Sequence, residues 1–145
     1  MQLSKLKIVV IDDNFTETEP LLIHLKLNFK EAEIVLKKKA KEGLDYIMDN
    51  LDSRMIVLLD YDLGKGEPNG TEILLKIREK TSLVYIIIIT AKLLVSIPHK
   101  DLMLYVNKDA LAVVDKTASL DDKLNFVKDA VHSMDVRVDC IGGLY

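Results

Sequence analysis

The stretch that most constrains the fold is Met55-Ile56-Val57-Leu58-Leu59-Asp60. Five apolar residues rich in strand formers stop abruptly on a carboxylate, and a second one, Asp62, follows two positions later. A strand that is apolar on both faces belongs in the middle of a parallel sheet covered by helices on both sides. In such sheets ligands bind outside the carboxyl ends of the strands, which is where Asp60 falls. The segment Gly64-Lys65-Gly66-Glu67-Pro68-Asn69-Gly70 then reads as a turn-rich loop. A single acid at a strand end also serves as a plain loop cap, and the other strands decide between the two readings.

Four more strand-like runs flank this one. Leu6 to Ile11 ends in Asp12-Asp13, Leu83 to Ile89 ends in Thr90-Ala91, and Leu111 to Val114 ends in Asp115-Lys116. Ala32 to Leu36 alternates more and so belongs nearer an edge. Helical periodicity fills the intervals. Thr16-Glu17-Thr18-Glu19 has the form of a capping box, and Pro20 suits a first turn. Leu21, Leu22, Leu25 and Phe29 then make one apolar stripe, and Ala40, Leu44, Ile47, Met48 and Leu51 a second. Ile73, Leu74 and Ile77 mark a third helix starting near Asn69 or Gly70. His99 to Val106 makes a fourth, with Asn107 able to supply a left-handed cap. Leu120, Leu124, Val127, Val131 and Met134 make the last. Residues 92 to 98, interrupted by Pro98, have no clear period. Five rounds of strand then helix imply right-handed crossovers over a parallel sheet, with one domain over 1–134 and a tail over 135–145.

Composition narrows the function classes. At 145 residues and a net charge of −3 the chain is an ordinary globular domain, not a basic nucleic-acid binder. The run Lys37-Lys38-Lys39-Ala40-Lys41 is short, is followed by Glu42, and reads as a solvated loop between strand and helix. A lone cysteine, Cys140, excludes an internal disulfide framework and fits a reducing compartment. Leu83 to Ile89 is the longest apolar run, far too short for a membrane span. The N-terminus leads straight into a strand without a signal-peptide pattern. The cytoplasm is the expected location, with no membrane partner.

The strand-end residues form a chemical set. Asp12, Asp13 and Asp60 gathered at one sheet edge repel each other unless a cation joins them, and oxygen ligands suit a hard ion such as Mg²⁺. Lys116 adds a fixed positive charge and Thr90 a hydroxyl. These are the parts needed to stabilise a phosphoryl group under attack by a carboxylate. Asp60, ending the central strand, is the natural nucleophile. Tyr61 is placed at the pocket mouth on one reading and is a bystander on the other. Tyr85 reads as core. His24, His99 and His132 lack ligand spacing and read as surface residues.

The sequence here resembles the receiver domains of two-component response regulators. The matching pieces are Ile-Val-Val-Ile-Asp-Asp-Asn at 8–14, Val-Leu-Leu-Asp-Tyr-Asp-Leu at 57–63, Ile-Thr-Ala at 89–91 and Val-Val-Asp-Lys at 113–116. They stand in the family's order, and the resemblance covers residues 5 to about 134. The resemblance implies a flavodoxin-like α/β fold, a doubly wound five-stranded parallel sheet of order 2-1-3-4-5. It implies that Asp60 takes a phosphoryl group from a histidine kinase or a histidine phosphotransfer protein. It implies Mg²⁺ held by Asp12, Asp13, Asp60 and the backbone carbonyl of Asp62. Phosphoryl oxygens would meet Thr90, the Ala91 backbone N–H and Lys116. Asp62 and Lys92 fall where relatives tune hydrolysis. Signalling would run through the fourth helix, fifth strand and fifth helix, to a downstream protein, a second copy of the chain, or an output domain in a longer chain. A turnover enzyme is not implied.

Several positions depart from the family pattern. Thr117 follows Lys116 where relatives carry a cis proline, and a non-proline cis bond costs about 3 kcal/mol, so this bond is trans or strained. Val113 stands where an aromatic switch residue is usual. The loop from Asp60 to Gly70 and the stretch from Thr90 to Lys116 are both longer than usual. Two other readings use the same residues. One is a receiver-like binding module that has lost phosphorylation-driven switching. The other is a phosphatase of the haloacid-dehalogenase type, with Asp60-Tyr61-Asp62 as its Asp-x-Asp motif. In those enzymes that motif lies on the first strand and a cap domain follows, neither of which fits here.

Overall fold

The computed structural model describes residues 5–91 and 97–142, with 136–142 described by backbone alone. The elements run β1 (Lys7–Ile11), α1 (Pro20–Asn28), β2 (Glu33–Lys37), α2 (Ala40–Asp49), β3 (Met55–Asp60), α3 (Gly70–Lys80), β4 (Tyr85–Thr90), α4 (His99–Asn107), β5 (Ala110–Asp115) and α5 (Leu120–Gly142). The strands form one parallel sheet in the order β2-β1-β3-β4-β5. This is the flavodoxin-like arrangement that the family resemblance implied. The winding reverses between β1 and β3, which opens a crevice at their carboxyl ends.

Strand parity sorts the core into two layers. Val9, Ile11, Met55, Val57, Leu59, Ile86 and Ile88 face α2, α3 and α4. Ile8, Val10, Ile56, Leu58, Ile87 and Ile89 face α1 and α5. β3 is buried along its whole length, the reason its sequence carries no polar residue before Asp60. At the rim, β2 is only half-buried throughout. On β5 the register slips opposite Ile86/Ile87, and Leu111, the residue left over, is exposed.

Local details correct four expectations. The capping box at Thr16–Glu19 does not form: Glu19 is the N-cap without a side-chain bond, and Pro20 opens the helix. Instead the Thr16 and Thr18 hydroxyls bond each other at 2.9 Å. A box does form at α3, where Asn69 accepts from Glu72 N and Glu72 accepts from Asn69 N. After α4 the left-handed residue is Asp109, with φ 56°, not Asn107, which remains helical. The α5 helix continues past Met134 to Gly142, since nothing between Asp135 and Ile141 breaks it. Tyr85, expected in the core, is half-buried at the start of β4. The peptide bonds, Lys116–Thr117 included, are trans among the described residues. His24 is half-buried, and His99 and His132 are exposed.

Candidate functional site

Register builds the site. Ile11 pairs with Leu59, Asp60 with Ile89, and Thr90 with Asp115. Asp12, Asp13, Asp60, Thr90 and Lys116 therefore emerge side by side at one edge of the sheet. Backbone bonds tie the strand exits together, from Tyr61 N to Ile89 O at 2.9 Å and from Lys116 N to Thr90 O at 2.7 Å. A cleft of about 170 Å³ opens there, lined by Asp13, Asn14, Asp60, Asp62, Gly64, Thr90, Ala91 and Lys116. A groove of about 360 Å³ between β5 and α5, lined in part by Val113 and Phe126, is larger, but its lining residues bring acids without a lysine or arginine among them. Chemistry rather than size singles out the smaller cleft.

Asp12 and Asp60 are almost fully buried, at 2% and 5% exposure. The Lys116 ammonium bridges them, 2.8 Å from Asp12 Oδ2 and 3.4 Å from Asp60 Oδ2. It also lies 5.1 Å from the centroid of the buried Phe15 ring, a favourable position for a cation over an aromatic face. Asp12 Oδ1 accepts from Asn14 N at 2.9 Å, and Asp60 Oδ1 accepts from Asp62 N at 3.3 Å. Asp13 Oδ1, by contrast, is buried with no hydrogen-bond partner among the described residues. A buried carboxylate oxygen in that condition is costly unless a cation or water meets it. Oxygens of Asp12, Asp13 and Asp60 lie within 4.8 Å of one another. The donor set is all oxygen and carries net negative charge, which fits Mg²⁺ or another hard divalent ion.

Burial lifts the Asp60 pKa to about 6 from 3.8; the Asp12 charge adds to the rise and Lys116 opposes it. The group is still largely ionised at neutral pH. Burial works against the Lys116 charge, but the hydrogen bond to Asp12 and the field of Asp60 outweigh it and hold its pKa above the ordinary lysine value.

The loop after Asp60 is shaped around the acids. Asp62 is exposed, and its side chain accepts from Gly64 N at 3.1 Å. Gly64 has φ +105°, and a Cβ there would sit 3.2 Å from Asp13 Oδ2, so both conformation and space call for glycine. Ala91 lies at the cleft rim, exposed, and Thr90 is buried beneath it. Lys92, the expected tuning residue, lies outside the described residues. Val113 is half-buried against the apolar layer facing α4, away from the cleft.

Tyr61 does not line the mouth. It is buried, and its hydroxyl donates to Asp101 Oδ2 at 3.0 Å. Burial and the Asp101 charge raise its pKa, keeping the hydroxyl protonated as a donor. Parity reveals this placement: Met55, Val57, Leu59 and Tyr61 share one face. Sequence reasoning missed Phe15 and Asp101. Phe15 adjoins the Asp12-Asp13-Asn14 run, a usable signal, whereas an acid in the first turn of α4 looks like an ordinary solvated residue.

Neither a protein-family model nor a curated protein matches the chain. Solved structures do. A CheY-like response regulator receiver domain protein from Methanospirillum hungatei JF-1 superposes with TM-score 0.72 at 21% identity, over 94% of this chain and 99% of that one. A response regulator receiver domain protein from Clostridium thermocellum gives TM-score 0.67 at 26% identity, over 90% and 97%. The BeF3-activated DrrB receiver domain gives 0.66 at 20% identity, over 87% and 97%.

Proposed function

We propose that this chain, with the fold of a response regulator receiver domain, is a phosphoacceptor of a two-component phosphorelay. The observation that carries the reading is the clustering of Asp12, Asp13 and Asp60 at the end of the central strands with Lys116 bridging two of them. An ionised Asp60 oxygen attacks the phosphorus of a phosphohistidine on a histidine kinase or phosphotransfer protein. A phosphorus–oxygen bond forms, the phosphorus–nitrogen bond breaks, and the imidazole leaves. Lys116, the Thr90 hydroxyl and the Ala91 N–H receive the charge on the phosphoryl oxygens. The carboxylates of Asp12, Asp13 and Asp60 and the carbonyl of Asp62 would hold Mg²⁺, which would supply further charge neutralisation.

On this reading residues 1–134 are the phosphoacceptor domain, working in the cytoplasm. The protein is loaded and slowly unloaded rather than turning over a substrate. Its output passes to a partner or second copy through α4, β5 and α5, where Met103, Val106, Leu111 and Phe126 are exposed. The test is intact mass after incubation with acetyl phosphate and Mg²⁺. One phosphoryl group, about 80 Da, should appear through the attacking carboxylate and be absent in Asp60→Asn. Retention of the gain in that variant overturns the assignment.

A further inference from the structure

The two buried side chains of α4, Asp101 and Tyr105, are both polar, with Leu102 packed beside them on the apolar layer, while Met103 and Val106 face solvent. Asp101 and Tyr105 stand four apart and so share one face of the helix. The Tyr61 hydroxyl donates to Asp101 Oδ2 at 3.0 Å. The Tyr105 hydroxyl shares a buried 2.7 Å bond with the Thr71 hydroxyl.

Both anchors rise from one junction beside Asp60. Tyr61 is its chain neighbour. Thr71 follows Gly70, whose N–H donates to Tyr61 O at 2.8 Å. A Cβ on Gly70 would lie 3.0 Å from both Asp60 O and Tyr61 Cα, so the two segments meet backbone to backbone. At its other end α4 is clamped by Arg78, which donates from Nε to Lys108 O at 2.7 Å and from Nη2 to Asp109 O at 3.1 Å. A hydrogen bond is directional and costly to leave unmade in a buried site, so these two bonds tie the first turns of α4 to the junction. On the β5 side Val113 offers only apolar contact, which is non-directional.

We propose that Tyr61 is a positioning residue that transmits the loading of Asp60 to α4, by way of the Tyr61–Asp101 and Thr71–Tyr105 bonds, with the Arg78 clamp as pivot. This rests on the phosphoacceptor reading above. It assigns to the α3–α4 side the coupling that Val113, standing where an aromatic switch residue is usual, does not supply.

The experiment follows amide exchange over residues 97–109 in the full chain, before and after acetyl phosphate with Mg²⁺, with loading measured by intact mass in the same samples. Wild type should load and change its exchange over this helix. Tyr61→Phe should load to the same extent and lose the change. Tyr61→Phe combined with Asp101→Leu leaves no buried carboxylate without a donor, and should behave like the single variant if that one folds poorly. A purely structural Tyr61 would leave the loading-dependent difference intact in folded variants. A variant that loads and still shows the full wild-type change overturns the inference while the phosphoacceptor reading stands. Loading of wild type without any change over 97–109 does the same. Failure of wild type to load overturns both.

Discussion

Asp60 is buried beside another acid, and the proposed function requires it to be ionised. Its folded-state pKa of about 6 lies above the ordinary 3.8. A carboxyl raised in this way contributes stability that is fully present below its unfolded pKa and lost as pH rises through the folded one. The window is therefore about pH 4 to 7 in metal-free protein. Asp60→Asn cannot ionise, so in EDTA its melting temperature should exceed that of wild type by several degrees at neutral pH. The gap should shrink toward pH 5 when followed by calorimetry. A gap that stays constant across this range would mean that Asp60 is not the strained group. The position of Asp60 was readable from its place at a strand end. Its pKa was not, because that depends on Asp12 and Lys116 arriving from other strands.

At the scale of elements, α3 starts where the site ends. Asn69 and Glu72 close a reciprocal capping box, with bonds of 3.0 and 3.1 Å, and Gly70 lets the first turn approach β3. Asn69→Ala should cost about 1 kcal/mol, a fall in melting temperature of roughly 2–4 °C for this size, with loading of Asp60 unaffected. Gly70→Ala improves helix propensity, yet should cost more and slow loading as well, since its Cβ meets the backbone of Asp60 and Tyr61 at 3.0 Å. Equal stability and loading in Gly70→Ala and wild type would show that the junction has room to give. The box expected before α1 illustrates the opposite case. Its residues were right, but Pro20 sets the helix start, and Thr16 bonds Thr18 instead.

For the whole molecule, the proposed metal binding would be linked to stability. Three carboxylates whose oxygens lie within 4.8 Å of one another crowd a site that holds one ammonium. At an effective dielectric near 20, two unit charges about 5 Å apart repel by roughly 3 kcal/mol. Mg²⁺ at ten times its dissociation constant should stabilise the fold by about 1.4 kcal/mol, a rise of about 3–6 °C. Asp13→Asn should raise the metal-free melting temperature and largely remove the Mg²⁺ response. A lower metal-free value with the response intact would place the metal elsewhere.

The alternation of apolar runs with helical stripes determined the layer architecture, because a strand without a polar face has nowhere to go but the middle of a covered sheet. Strand ends likewise announced Asp12, Asp60, Thr90 and Lys116, since a parallel sheet collects its carboxyl ends on one edge. Only the tertiary structure decided which of Lys116's neighbours it bridges, that Asp13 keeps an oxygen without a partner, and that Tyr61 turns away from the cleft to hold Asp101. These contacts join residues 40 to 104 positions apart, and local propensity carries no record of them. They depend on register and on the depth at which each helix packs. An acid on a short helix looks the same in sequence whether water or a buried tyrosine receives it. The fold makes that choice when α4 closes over the end of β3.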